Sequence, residues 1–65
     1  MATQYDERAT ELIMKQASKT AFRLHHEAQD TGDPNKYEQA AMYYEIAGEW
    51  DKADACHMAA DTLRR

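Results

Sequence analysis

Apolar and polar positions follow a helical period along most of this chain. In the first half, apolar residues recur every three or four positions and form one continuous face at about 100° per residue. The face comprises Tyr5, Ala9, Leu12, Ile13, Ala17, Ala21, Leu24 and Ala28. We expect it to be the core face of a helix at about residues 4–29. Two shorter helical patterns follow, at about residues 35–47 and 50–64.

Two short segments interrupt these patterns. The first is a loop at residues 30–35, where Gly32 suits a left-handed helix C-terminus and Asp33 or Asn35 can cap the next helix. The second is Gly48, which connects the last two helices far more tightly. We therefore predict a single all-α domain spanning residues 1–65, with a long N-terminal helix followed by a tight helix-turn-helix hairpin.

The composition supports this fold class and limits the size of the core. The 65 residues include twelve alanines, two isoleucines and no valine, so strand formers are scarce. A chain of this length is near the lower limit for a stable core. Cys56 is the single cysteine, so a disulfide within the monomer is excluded, and a lone thiol without a signal peptide favours a cytoplasmic protein. We expect packing in a homodimer to supply the additional stability.

Aromatic and small residues recur in a regular order between residues 37 and 63. They are Tyr37, Ala40, Ala41, Tyr44, Gly48, Trp50, Ala53, His57 and Ala60. This order resembles a tetratricopeptide-type helical hairpin, although Ala40 and His57 replace the usual leucine and aromatic residue. The resemblance implies that Tyr44 and Trp50 bracket a close structural turn at Gly48. Because a single hairpin needs a neighbour, the first helix or a second copy is expected to cover it.

A shorter string is similar to the core of small ANR-type bacterial negative regulators. It consists of Glu45, Gly48, Trp50, Ala53, His57 and Ala60. Those regulators bind AraC-type transcription activators. The resemblance implies a small bacterial or phage regulator that binds a transcription activator.

Several large side chains lie outside the faces that a three-helix monomer is expected to bury. Phe22 falls on the far side of the first helix with His25, and Met14 lies on its flank. The second helix has a further apolar side, formed by Met42, Tyr43 and Ile46. We interpret these six residues as an interface for self-association or for an unidentified protein partner. The leading hypothesis is a non-enzymatic adaptor or inhibitor that acts through apolar helix faces.

Charge suggests an alternative role for the first helix. Arg8, Lys15 and Lys19 line one side of it beside Phe22, so they are candidates for nucleic-acid contact. The net charge of −4 argues against a dedicated nucleic-acid or membrane-surface protein, and no apolar run approaches the roughly 20 residues that span a bilayer. Nucleic acid is thus the alternative partner, and no membrane contact is expected.

Acidic residues gather around the tight turn. They are Glu45, Glu49, Asp51 and Asp54. Such residues either stabilise the N-terminus of the third helix or attract a basic partner.

The sequence predicts no catalytic, cofactor-binding or metal-binding residues. His25, His26 and Glu27 are consecutive, so on a helix their side chains diverge by about 100° and do not converge on one ion. Cys56 and His57 diverge in the same way, and Cys56 falls on the predicted core face, where a thiol is usually inert.

Overall fold

The computed structural model describes residues 2–65, with side chains from Glu7 onward, so the expected core position of Tyr5 lies outside the described side chains. The described residues form three helices and no strand: α1 (Ala2–Thr31), α2 (Pro34–Ile46) and α3 (Trp50–Arg64). The predicted all-helical class with three packed helices is confirmed. α2 packs against both neighbours, whereas α1 and α3 barely touch. The described helices include none that is both long and apolar enough to cross a membrane.

The connection between α1 and α2 is shorter than expected. Gly32 has φ 68°, and its N–H donates to the carbonyl of Ala28 at 2.7 Å, which ends α1 in a left-handed cap. Asp33 caps α2 by accepting from the backbone N–H of Asn35 at 2.9 Å, and Pro34 is the first helical residue. Only two residues therefore separate the helices.

The turn between α2 and α3 has the hydrogen bonds of a Schellman motif. Gly48, at φ 76°, donates its N–H to the carbonyl of Glu45, and Glu49 donates to the carbonyl of Tyr44 at 2.8 Å. These bonds satisfy the last carbonyls of α2 and reverse the chain within three residues. α3 consequently runs back along α2.

Small side chains form most of the core. Seven of the ten buried residues in the described part are alanines, and the other three are Leu24, Tyr44 and Cys56. Ala21 of α1, Ala40 and Ala41 of α2, and Ala53 of α3 are each at most 1% exposed. Alanine at these positions lets the helix backbones approach closely, with Tyr44 filling the space between them.

Large residues that the helical pattern placed in the core are exposed instead. Ile13 is 58% exposed, because the 30-residue α1 extends about 45 Å whereas α2 extends only about 20 Å. Leu12 is 63% exposed and lies between Lys19 and Arg23, on the side of α1 away from the buried alanines. The long axis of the molecule measures 50 Å, against 17 and 14 Å across. The N-terminal part of α1 thus runs past the end of the hairpin.

Trp50, which the tetratricopeptide resemblance places beside the turn at Gly48, is 63% exposed at the first position of α3. Met14 packs beside Gly48, since its Cε lies 3.4 Å from the position of a Cβ at that glycine. Leu63, in the last turn of α3, is 47% exposed.

Candidate protein-interaction surface

An apolar groove of about 300 Å³ lies between α1 and α2. It is lined by Ile13, Gln16, Ala17, Thr20, Tyr43 and Ile46. We call this surface the α1–α2 groove. Ser18 and His25, whose side chains contact Glu49 and Tyr44, lie on the other flank of α1. The groove is therefore formed by α1 and α2 without α3.

The groove continues into other exposed apolar residues. On α2, Tyr43 is 38% exposed, Ile46 50% and Met42 59%, so the three residues expected to form an apolar side share one surface. On α1, Ile13 is 58% exposed, whereas Leu12 lies on the outer side of the helix between Lys19 and Arg23 and is not part of this surface. The result is one apolar surface that spans two helices.

The other three residues of the expected interface lie apart from the groove. Met14 packs beside Gly48 at the tight turn. His25 is half-buried, with its Nδ1 3.4 Å from the Tyr44 hydroxyl and its ring edge-on to Tyr37. Phe22 is 60% exposed on the outer side of α1, where its ring packs edge-on against His26 at 4.4 Å between centroids. The six residues thus lie at four separate locations: the groove side of α2, the tight turn, the contact with Tyr44 and Tyr37, and the outer side of α1.

A charged cluster joins α2 to α3 beside the core. His57 Nδ1 lies 2.8 Å from Glu38 and its Nε2 lies 3.1 Å from Glu45. Arg64 donates to Glu38 at 2.7 Å and to the side-chain oxygen of Asn35 at 2.9 Å. Hydrogen bonds from Arg64 and then His57 lower the pKa of Glu38. Sequence reasoning missed this cluster, although the seven-residue spacing of Glu38 and Glu45 places both on one side of α2.

A second polar contact joins α1 to the start of α3. The Ser18 hydroxyl donates to Glu49 at 2.8 Å, and Lys52 reaches the other carboxylate oxygen at 3.2 Å. The hydrogen bond from Ser18 is the main reason that the pKa of Glu49 is lowered. Glu49, one of the acidic residues noted at the turn, therefore has a structural role.

The basic residues expected to contact nucleic acid lie on the outer face of α1. Arg8, Lys15 and Lys19 are exposed, and Arg23 extends the same face beyond the three predicted residues. Their positions fall within about 80° around the helix axis, opposite the buried alanines. We call these four residues the basic edge.

Two further observations concern metal ligands and the single cysteine. No group of three or more His, Cys, Asp or Glu side chains that could hold a metal ion occurs among them. Cys56 is 1% exposed, and burial raises the pKa of its thiol, which disfavours the reactive thiolate.

Comparison with protein-family models, curated proteins and solved structures finds no match to this chain.

Proposed function

We propose that this chain is a small non-enzymatic protein-protein interaction protein, an adaptor or inhibitor, that self-associates as a homodimer through the α1–α2 groove. The observation that carries the proposal is that small side chains are buried while many large apolar side chains are exposed. Alanines fill the core, while large apolar side chains such as Leu12, Ile13, Met42 and Ile46 are 50–63% exposed.

Hydrophobic burial favours a protein partner for these side chains. Completely burying one aliphatic side chain contributes about 1.5–3 kcal/mol of stabilisation. The monomer gains only part of this free energy at each position, because the side chains remain partly exposed. In a two-fold dimer the same surface of both copies meets. Each copy would then cover the groove residues of the other, and Ile13, Tyr43 and Ile46 would become an interface core.

The solution mass across a concentration series tests the dimer. We expect the wild-type chain to approach twice its monomer mass and Ile46→Glu to stay monomeric, because the interface would have to bury a carboxylate. Leu63→Glu is the matched control, since Leu63 is 47% exposed against 50% for Ile46 but lies far from the groove. A wild-type monomer at high concentration, or equal effects of the two variants, would refute the groove dimer.

A second candidate function is regulation of transcription, through an activator or through nucleic acid. The specific observation in its favour is the basic edge, where four exposed cations share the outer side of α1 with the exposed ring of Phe22. Lys15→Glu with Lys19→Glu should abolish binding to a DNA duplex in a fluorescence anisotropy titration. Unchanged binding in this double variant, or no binding by the wild type, would argue against nucleic-acid contact.

A further inference from the structure

The charged side chains separate into two groups according to whether they have a partner in the chain. Three cations near the core are paired with carboxylates at 2.7–3.2 Å: Lys36 with Glu27, Lys52 with Glu49 and Arg64 with Glu38. Among the described residues, no ion pair involves Arg8, Lys15 or Lys19. The fourth member of the basic edge, Arg23, has only a 3.9 Å contact with Glu27.

The unpaired acidic residues of α3 lie at the other side of the molecule. Asp51, Asp54 and Asp61 are exposed and, within the described part of the chain, take part in no ion pair. They fall within about 80° around the axis of α3, on the side away from Ala53, Cys56 and Ala60. We call these three aspartates the acidic edge.

α2 keeps the two edges apart within one chain. It contacts α1 through Lys36, which pairs with Glu27, and α3 through Glu38, which binds His57. These two positions on α2 lie nearly opposite each other around its axis. Because α1 and α3 barely touch, the edges point away from α2 and do not meet in the monomer.

Each edge also presents a large apolar side chain that lies seven residues after one of its charges. Phe22 of α1 is 60% exposed and Met58 of α3 is 69% exposed. Phe22 lies seven residues after Lys15, and Met58 lies seven residues after Asp51, so each pair shares one side of its helix. The two edges thus each combine an exposed apolar side chain with charged residues, and their charges are opposite in sign.

We infer that the basic edge of one copy binds the acidic edge of a second copy. The charges are complementary, both halves of the contact exist in every chain, and the tertiary structure separates them. The contact is heterologous, so copies associate head to tail. It uses surfaces outside the α1–α2 groove and therefore does not depend on the proposed dimer.

Charge exchange between copies tests this contact. All chains carry Ile46→Glu, so that association through the groove does not contribute. The first variant adds Arg8→Glu, Lys15→Glu, Lys19→Glu and Arg23→Glu, and the second adds Asp51→Lys, Asp54→Lys and Asp61→Lys. A third chain carries all seven changes and is the matched control, because its charges are complementary again. Light scattering at low salt measures the mass of each chain. Circular dichroism first establishes that each chain is helical, and nuclease treatment removes nucleic acid.

Like charges on both edges should keep the first and second variants monomeric when each is alone. An equimolar mixture of the two should associate, and so should the Ile46→Glu parent and the seven-change chain. Raising the ionic strength from about 0.02 to about 0.5 M should reduce the mass of these associating samples about twofold or more, since exposed charges are screened.

Equal masses for the parent and both charge variants, with no increase on mixing, would overturn the head-to-tail contact while leaving the groove dimer intact. A monomeric parent that binds a DNA duplex through Lys15 and Lys19 would overturn it in favour of nucleic acid. Conversely, if Ile46→Glu leaves the wild-type mass unchanged and the mixture associates, the groove proposal fails and the edge contact stands.

Discussion

Gly48 has a backbone conformation that L-residues with a Cβ rarely adopt. Its φ of 76° lies in the left-handed region, and this geometry closes the hydrogen bonds between the end of α2 and the start of α3. A Cβ would lie 3.4 Å from Met14 Cε, which is an ordinary van der Waals distance. The requirement for glycine is therefore a backbone requirement and not a steric one.

Gly48→Ala should lower the free energy of unfolding by about 1–2 kcal/mol, the usual cost of a left-handed conformation. For a chain of this size the Tm should fall by about 4–16 °C, measured by circular dichroism at fixed protein concentration. Gly32→Ala is the control, because Gly32 has φ 68° and a Cβ there would meet nothing within 4 Å, so this substitution carries the backbone cost alone. A Gly48→Ala protein as stable as the wild type would contradict the assigned turn geometry.

His57 links helices α2 and α3 through two carboxylates. Carboxylate oxygens only accept hydrogen bonds, so both ring nitrogens of His57 donate at once only when the imidazole is protonated. The hydrogen bond with Glu45, and then that with Glu38, raises the pKa of His57 above its ordinary value of 6.5. Since the folded pKa is the higher one, this stabilisation is complete below about pH 6.5 and is lost as pH rises through the folded pKa.

The Tm of the wild-type protein should therefore fall between about pH 6 and pH 9, as His57 loses its proton. His57→Gln should flatten this part of the curve, because glutamine does not titrate. His26→Gln is the matched control: His26 is exposed on α1, packs against Phe22 and lies outside the cluster, so the wild-type slope should remain. Parallel curves for the wild type and His57→Gln would show that the cluster does not stabilise the α2–α3 contact.

The whole molecule depends on close approach of its helices. Ala21 is fully buried in a cluster with Ala40, Ala41 and Tyr44, so α1 and α2 meet through small side chains. Such an interface has little room for larger residues. The same close packing leaves the large apolar side chains at the surface, where they are available for contacts with other chains.

Ala21→Leu should destabilise the protein by about 1–3 kcal/mol, because three added carbons must separate α1 from α2. Urea unfolding measures the change. Ala55→Leu is the control, since Ala55 is exposed on α3 and the same substitution there should change stability by less than about 0.5 kcal/mol. Should Ala21→Leu be as stable as the control, the helices would not be as closely packed as the structure has them.

Parts of the interaction surface followed from helical periodicity alone. Met42, Tyr43 and Ile46 belong to one helix, so their positions on the same side of α2 follow from helical periodicity. The pairing of His57 with Glu38 and Glu45 joins two helices, so periodicity within one helix does not predict it. Arg23 continues the basic side of α1, and periodicity could have predicted its position. Phe22, Met14 and His25 lie outside the main stripe of α1, and the structure gives each of them different neighbours because α2 and α3 approach α1 from one side only.

Local signals in the sequence determined the three helices and both turns, because alanine content, Gly32, Asp33 and Gly48 act through the backbone within a few residues of themselves. Only the tertiary structure decided which apolar residues are buried. Ile13 belongs to the core stripe of α1, yet it is exposed because α1 is longer than the helix that covers it, and Leu12 is exposed because it lies at the margin of that stripe, away from the buried alanines. Burial depends on the length and placement of neighbouring helices, and periodicity within one helix contains no information about either.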